Sequence, residues 1–79
     1  MIPLYGFLEG DTLGLLLLAE EDETLAQLAR RLQESAALRV LPFDKPEVRH
    51  QGRLLPSECR VGAAGLHALD RIDVVKGGG

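Results

Sequence analysis

A run of three glycines, Gly77–Gly79, follows Lys76 and is the part of the chain best suited to chemistry. Glycine has no Cβ, so its backbone can enter a channel that side chains would block, and another protein's atoms can approach its carbonyl closely. Four extended residues reach roughly 13 Å beyond the preceding element. The run therefore suits a segment that enters a narrow channel of a partner protein. A flexible linker, a cloning remnant or a truncation point has the same composition.

The other reactive side chains form no pattern typical of catalysis or metal binding. Cys59 is the only cysteine, so it forms no internal disulfide. His50 and His67 have no cysteine or carboxylate partner at metal-ligand spacing. Ser57, His67 and Asp70 form no known nucleophilic motif. We therefore predict no catalytic residue and no metal site in this chain.

Size and charge exclude further classes of function. A chain of 79 residues makes one domain with a small core and little material for a deep active site. Its net charge of −3 has the wrong sign for a protein that binds nucleic acid. The longest apolar run, Leu15–Ala19, is too short to cross a membrane, and the first residues lack the basic segment of a signal peptide. We expect a cytoplasmic, non-enzymatic domain that is a monomer when free and binds neither nucleic acid nor membranes.

Two apolar segments of strand length, 2–8 and 13–19, indicate a β-hairpin at the start of the chain. The residues between them, 9–12, are of types that tolerate a tight turn. Alternation along the second segment predicts three leucines that face the core: Leu13, Leu15 and Leu17.

The same alternation turns Leu16 and Leu18 toward the opposite face of the predicted sheet. Together with Phe7, this outward leucine pair is a candidate docking surface for a partner protein. Scattered apolar surface residues are the alternative interpretation, because folded proteins expose many single leucines without a function.

A helix is predicted from about Leu25 to Ala36. Thr24 is a good N-cap, and Gln27 stands three residues later, as in a capping box. The apolar residues recur at helical spacing and form one stripe: Leu25, Leu28, Ala29, Leu32 and Ala36. This stripe predicts a helix that lies on a sheet.

The second half of the chain predicts three further strands and one short helical turn. We expect strands at 38–41, 47–50 and 71–75, with the helical turn within 61–66. The predicted element order is ββαββ, a turn, then β. This order gives an α+β fold in which a mixed sheet of about five strands packs on one helix, with the last strand in the middle.

Several motifs resemble those of the ubiquitin-like β-grasp family, over the whole chain. They are the turn Gly10-Asp11-Thr12, the capped helix start Thr24-Leu25, the glycine turn Gly52-Arg53-Leu54-Leu55, and the closing residues Val61, Gly65-Leu66 and Ile72-Asp73-Val74-Val75. The resemblance implies a β-grasp domain over residues 1–76, followed by a flexible glycine tail at 77–79. It also places the central isoleucine of ubiquitin's receptor-binding patch at Arg49, so that apolar patch is not carried over. Arg49 instead joins the candidate docking surface.

Within this superfamily, the chain looks most like the small β-grasp subunit of bacterial toluene monooxygenases, an accessory protein that docks on a diiron hydroxylase. The likeness rests on Ile2-Pro3, Leu55-Pro56, Val61, Ala64-Gly65-Leu66 and Ile72-Asp73-Val74-Val75. The chain departs from that subunit after Val75, where Lys76 and the glycines replace an acidic ending without glycine. Relatives of this type also occur as modifiers in bacterial ubiquitination-like pathways, and the glycines favour that group.

The likeness to modifiers implies a reaction for the glycines. The Gly79 carboxylate would attack the α-phosphate of ATP, and the resulting acyl-adenylate would pass its acyl group to an enzyme thiolate and then to an amine of a target protein. Gly77 and Gly78 would occupy the enzyme's channel. ATP and Mg²⁺ would belong to the partner, so we expect no cofactor bound to this chain. The expected partners are an activating enzyme, a conjugating enzyme and a deconjugating peptidase.

Two other functions remain open at this point. The chain would be an accessory subunit of a diiron aromatic monooxygenase if it acts by surface docking and never uses its glycines. It would be a sulfur carrier if the adenylated Gly79 becomes a thiocarboxylate.

Overall fold

The computed structural model describes residues 1–11, 13–37 and 43–77. Within these ranges the chain forms β1 (Ile2–Leu8), β2 (Gly14–Ala19), α1 (Leu25–Ser35), β3 (Pro46–His50), β4 (Arg53–Leu55), a short 3₁₀ helix (Val61–Ala63) and β5 (Arg71–Lys76). The predicted α+β class and the order ββαββ, turn, β are confirmed.

The strands form one mixed sheet in the order β2-β1-β5-β3-β4. β5 lies in the middle, as predicted, and runs parallel to β1 and antiparallel to β3. Because the last strand joins the two hairpins, β2 and β4 are left as the edges of the sheet.

The first hairpin pairs β1 with β2 in a continuous register from Ile2↔Ala19 to Phe7↔Gly14. Leu17 is buried and Leu15 is half-buried against the core, as the alternation predicts. The prediction for Leu13 is wrong, because this residue is 51% exposed. It precedes the first residue of β2 and lies beyond the last strand pair, so no core residue stands opposite it.

The helix α1 starts as the sequence predicts. The Oγ1 of Thr24 accepts from the Gln27 amide at 3.2 Å, and the Gln27 side chain accepts from the Thr24 amide at 2.9 Å. All five residues of the predicted stripe are buried: Leu25, Leu28, Ala29, Leu32 and Ala36. Gln33 is buried as well, which the stripe does not predict. Its Oε1 accepts from the Phe43 amide, so the buried amide group has a partner.

The second half of the chain differs from the prediction in one strand. The predicted strand at 38–41 lies outside the described residues, and the one at 47–50 falls within β3. β4 follows from a turn at Gln51 and Gly52, whose φ angles are 53° and 79°. Two central residues with positive φ are typical of a tight hairpin, so Arg53–Leu55 pairs with β3 where the sequence indicated only a glycine turn.

The core lies between the sheet and α1. Its largest fully buried side chains come from β1, α1, the 3₁₀ helix and β5: Leu4, Leu25, Leu28, Leu32, Val61, Ile72 and Val74. Each fully buried aliphatic side chain stabilises the fold by about 1.5–3 kcal/mol relative to an exposed one. The helix therefore covers one face of the sheet, and no helix of the described residues covers the other face.

Candidate docking surface

The face of the sheet turned away from α1, the outer face, carries an exposed group of apolar side chains. Tyr5, Leu16 and Leu18 are 44%, 58% and 49% exposed, and we call these three residues the apolar patch. Tyr5 stands opposite Leu16, and Pro3 stands opposite Leu18, in the β1–β2 register. Directly opposed side chains of an antiparallel pair are close enough to touch, so the patch is continuous across both strands.

Phe7 lies on the same face but is held under other residues. The Arg71 guanidinium carbon stands 4.2 Å from the centroid of the Phe7 ring. A Cβ on Gly14 would come within 2.6 Å of the ring, so the ring lies directly over that glycine. Arg71 also donates from Nε and Nη2 to Oδ1 of Asp73, at 3.2 and 3.1 Å. Phe7 therefore serves as a fixed base beneath Arg71 rather than as a freely exposed anchor.

The outer face becomes charged toward β5 and β3. Arg49 stands opposite Asp73 in the β3–β5 register, is exposed, and forms no ion pair with any residue in the described part of the chain. It lines a shallow depression of about 380 Å³ together with Phe7, Arg71 and Asp73. The outer face thus has an apolar half on β1 and β2 and a mixed-charge half on β5 and β3.

The predicted docking residues consequently do not form a single cluster. Phe7 and Arg49 share one depression, whereas Leu16 and Leu18 lie on β2, with β1 and β5 between them and Arg49 on β3. Tyr5 also belongs to the outer face, but it is not among the predicted docking residues. Its position two residues before Phe7 on a strand is the signal that would have found it.

Gly77 lies against the sheet. Its amide donates to the Lys45 carbonyl at 2.8 Å, and a Cβ at this position would come within 2.5 Å of the same oxygen. Gly78 and Gly79 fall outside the described residues. The role of the three glycines in adenylation stays a prediction.

A polar cluster joins β3 to the loop before β5, and the sequence does not predict it. Oδ2 of Asp70 accepts from the His67 amide at 2.9 Å and contacts Nε2 of His50 at 3.1 Å. The His67 amide, with a smaller contribution from the His50 ring, holds the pKa of Asp70 below its usual value of 3.8, and partial burial opposes this shift. The two residues are 20 positions apart, so no local pattern marks the pair.

Within residues 1–11, 13–37 and 43–77, no three His, Cys, Asp or Glu side chains are grouped so that they could hold a metal ion. Over the same part of the chain, no helix has the length and hydropathy needed to cross a bilayer.

Comparison with known proteins places the chain in a family. The family model for Toluene-4-monooxygenase system protein B (TmoB) matches residues 1–75. The chain belongs to the TmoB family. The resemblance to the small subunit of toluene monooxygenases, derived from the sequence, is therefore confirmed. No curated protein sequence is similar enough to this chain to count as a match.

Solved structures agree with the TmoB assignment. A chain of the toluene 4-monooxygenase HD complex with the inhibitor 4-bromobenzoate is 25% identical, with a TM-score of 0.88 over 96% of this chain and 98% of that chain. A ubiquitin from Caldiarchaeum subterraneum has a TM-score of 0.76 at 15% identity, over 99% of this chain and 95% of that chain. A chain from a structure described as molecular mimicry of SUMO in DNA repair has a TM-score of 0.78 at 20% identity, over 94% and 89%. The latter two share the fold, which confirms the ubiquitin-like β-grasp.

Proposed function

We propose that this TmoB-family chain is an accessory subunit of a diiron aromatic monooxygenase, and that it acts by docking on the hydroxylase. The family match over residues 1–75 carries the proposal. The structural likeness to a chain of a toluene 4-monooxygenase complex, which extends over 98% of that chain, supports it. In this function the chain would perform no chemistry, and the iron and the aromatic substrate would belong to its partners.

The outer face supplies the docking surface in this proposal. The apolar patch offers three side chains that are about half exposed, so a partner would remove further apolar area from water there. Arg71 is already held by Asp73 and by the Phe7 ring. Because its side chain is ordered before binding, a partner carboxylate would meet it at a small cost in conformational entropy.

Purification of the tagged chain from its own host tests this function. We expect the subunits of a monooxygenase to elute with it in constant ratio, and to separate from it under denaturing conditions because the contact is not covalent. Elution without any monooxygenase subunit would refute the proposal.

The second candidate function is that of a modifier, and the observation that favours it is the run Gly77–Gly79 directly after β5. This candidate keeps Gly79 as the adenylated residue and requires an activating enzyme with ATP and Mg²⁺, a conjugating enzyme and a peptidase. A variant without Gly78 and Gly79 separates the two functions. It would still bind the hydroxylase as an accessory subunit, whereas a modifier would lose ATP–pyrophosphate exchange and every covalent adduct.

Mass spectrometry of the protein from its host also tests the sulfur-carrier alternative, because a thiocarboxylate replaces one oxygen of Gly79 with sulfur.

A cytoplasmic location and a monomeric free state stay predictions.

A further inference from the structure

We infer that Leu69 is an anchor residue for docking, and that its side chain enters an apolar recess on the hydroxylase. The inference rests on the proposed docking function and names a contact residue that lies outside the apolar patch. Two properties of Leu69 support it together: the apolar side chain is exposed, and the backbone has a conformation that leucine rarely adopts.

Leu69 lies in a turn that holds its backbone at a positive φ. The Asp70 amide donates to the His67 carbonyl at 3.1 Å and closes a turn of four residues, 67–70. Leu69 is the third residue of this turn, with a φ of 66°. Glycine or asparagine is usual at such a position, because the Cβ of a larger residue crowds the backbone there. The leucine therefore makes the free chain less stable than a glycine would.

Hydrogen bonds hold this turn in place before any partner binds. The Leu69 amide donates to the Pro3 carbonyl at 2.6 Å. The His67 amide donates to Oδ2 of Asp70 at 2.9 Å. Because the turn is already ordered, docking through Leu69 would fix little more than its side chain and would cost little conformational entropy.

The Leu69 side chain contributes little to the folded chain. It is 56% exposed, so burial in the core does not offset the cost of the backbone conformation. Within residues 1–11, 13–37 and 43–77, one other residue that is not glycine has a positive φ, which is Gln51 at 53°. Gln51 is exposed as well, but its side chain is polar. Of the two, only Leu69 also leaves an apolar side chain in water, and a partner that covers this side chain would remove that cost.

Leu69 lies next to the apolar patch. Its hydrogen bond to Pro3 places it beside β1, on the side away from β2. Pro3 stands opposite Leu18 in the β1–β2 register, so Leu18, Pro3 and Leu69 lie side by side over roughly 10 Å, which is two strand spacings. The exposed apolar surface therefore continues past β1 to the residues just before β5.

The partner that would cover Leu69 is the hydroxylase of the proposed function, and the family match over residues 1–75 favours it over a second copy of this chain. A leucine on an ordered backbone suits a recess lined by apolar side chains, because such a recess removes the whole side chain from water. We therefore expect the partner's contact to Leu69 to be apolar rather than charged.

The affinity of the full-length chain for the hydroxylase of its own host tests this inference. Leu69→Ala keeps the cost of the backbone conformation but shortens the side chain, and should weaken binding at least about tenfold. Leu69→Met keeps an apolar side chain of similar volume and should bind within about threefold of the unmodified chain. Leu54→Ala is the matched control, because it shortens a leucine of similar exposure, 54%, at the far edge of the sheet. It should also bind within about threefold.

Leu69→Gly should change stability and affinity in opposite directions. Glycine adopts a positive φ without steric cost, so the thermal midpoint should rise by about 4 °C while binding weakens at least about tenfold. Gln51→Gly is the matched control, since it removes the same backbone cost at a polar residue. Its thermal midpoint should rise by a similar amount, and its affinity for the hydroxylase should stay that of the unmodified chain.

Unchanged affinity in Leu69→Ala, an equal loss in Leu54→Ala, or a lower thermal midpoint in Leu69→Gly would each overturn the inference. A dimer of the unmodified chain that Leu69→Ala abolishes would also overturn it, because a second copy would then cover the leucine. If the unmodified chain does not bind the hydroxylase at all, the proposed function fails as well. Failure of the anchor residue alone, with binding of the unmodified chain intact, is therefore distinguishable from failure of the proposed function.

Discussion

At the scale of single residues, Asp70 is the side chain that ties the loop before β5 to β3. One of its oxygens meets both the His67 amide and the His50 ring, and these contacts favour the ionised carboxylate. The pKa of Asp70 is therefore lower in the folded chain than in the unfolded chain. A difference of this sign makes the unfolded state bind more protons as the pH falls, so acid destabilises the fold through this group.

We predict that Asp70→Asn makes the thermal midpoint less sensitive to acid. In the unmodified chain, the stability due to Asp70 is fully present above about pH 4 and is lost as the pH falls through the lowered pKa. Thermal unfolding followed by circular dichroism between neutral and acidic pH measures the difference between the two chains. We also expect the variant to melt lower at neutral pH.

His67→Ala is the matched control, because it removes an exposed ring at 3.9 Å from Asp70 and keeps the backbone amide that donates to the carboxylate. Its pH profile should follow that of the unmodified chain. An Asp70→Asn profile that runs parallel to the unmodified chain would contradict the assigned role.

Gly14 and Phe7 are coupled at the same scale, and their coupling is measurable. Alanine loses less backbone conformational entropy on folding than glycine does. This difference alone would make a strand with alanine at position 14 more stable by about 0.5–1 kcal/mol. Its Cβ would also displace the Phe7 ring and separate it from Arg71. We predict that Gly14→Ala stabilises the Phe7→Ala background but not the unmodified chain, with a coupling of about 1 kcal/mol in a double-mutant cycle. Additive free energies of unfolding would rule out the contact.

At the scale of elements, local signals predicted the hairpin, the helix and the last strand. The α1 stripe repeats at helical spacing, and the Thr24 and Gln27 cap marks the helix start, so both follow from residues close in sequence. The sequence does not predict β4 as a strand, because β4 is only three residues long. Its turn also needs a positive φ at Gln51, and glutamine rarely adopts a positive φ. The pairing of His50 with Asp70 joins distant segments, and no periodicity records such a contact.

The turn between β3 and β4 gives the prediction at this scale. Gln51→Asn should stabilise the fold by about 0.5 kcal/mol, because asparagine tolerates the left-handed region better than glutamine. Gly52→Ala should destabilise it by about 1 kcal/mol. Nothing lies within 4 Å of a Cβ built on Gly52, so this cost comes from the backbone alone. Chemical denaturation measures both changes, and an unaltered midpoint in Gly52→Ala would show that the turn relaxes to another conformation.

At the scale of the whole molecule, the distribution of exposed apolar side chains underlies the docking proposal. The alternation along β2 correctly predicts that Leu16 and Leu18 point away from the core. It does not predict that Tyr5 completes the patch, or that Arg71 covers Phe7, because those contacts depend on how β1 pairs with β2 and β5. The sequence therefore predicts the composition of the outer face better than its arrangement.

The run Gly77–Gly79 is a second case in which composition alone does not decide function. Gly77–Gly79 are conspicuous in the sequence and favoured a modifier, yet the family match over residues 1–75 leaves them out and favours an accessory subunit. A glycine run is compatible with several functions, because its chemistry depends on which enzyme receives it.

The measurement that tests the docking function most directly is the affinity of the chain for the hydroxylase of its own host, with charged substitutions on the outer face. Leu16→Glu combined with Leu18→Glu places two charges in the apolar patch. Leu54→Glu is the matched control. Leu54 is 54% exposed and lies on β4, at the opposite edge of the same face from the apolar patch. It stands opposite Arg49 of β3. Thermal unfolding first establishes that all variants fold.

We predict that the double variant binds the hydroxylase at least about a hundredfold more weakly, because each of its two unpaired carboxylates would cost about 1.4 kcal/mol or more when buried at an interface, and each 1.4 kcal/mol is tenfold in affinity. The control should bind within about threefold of the unmodified chain. Unchanged affinity in the double variant, or a larger loss in Leu54→Glu, would contradict docking through the apolar patch.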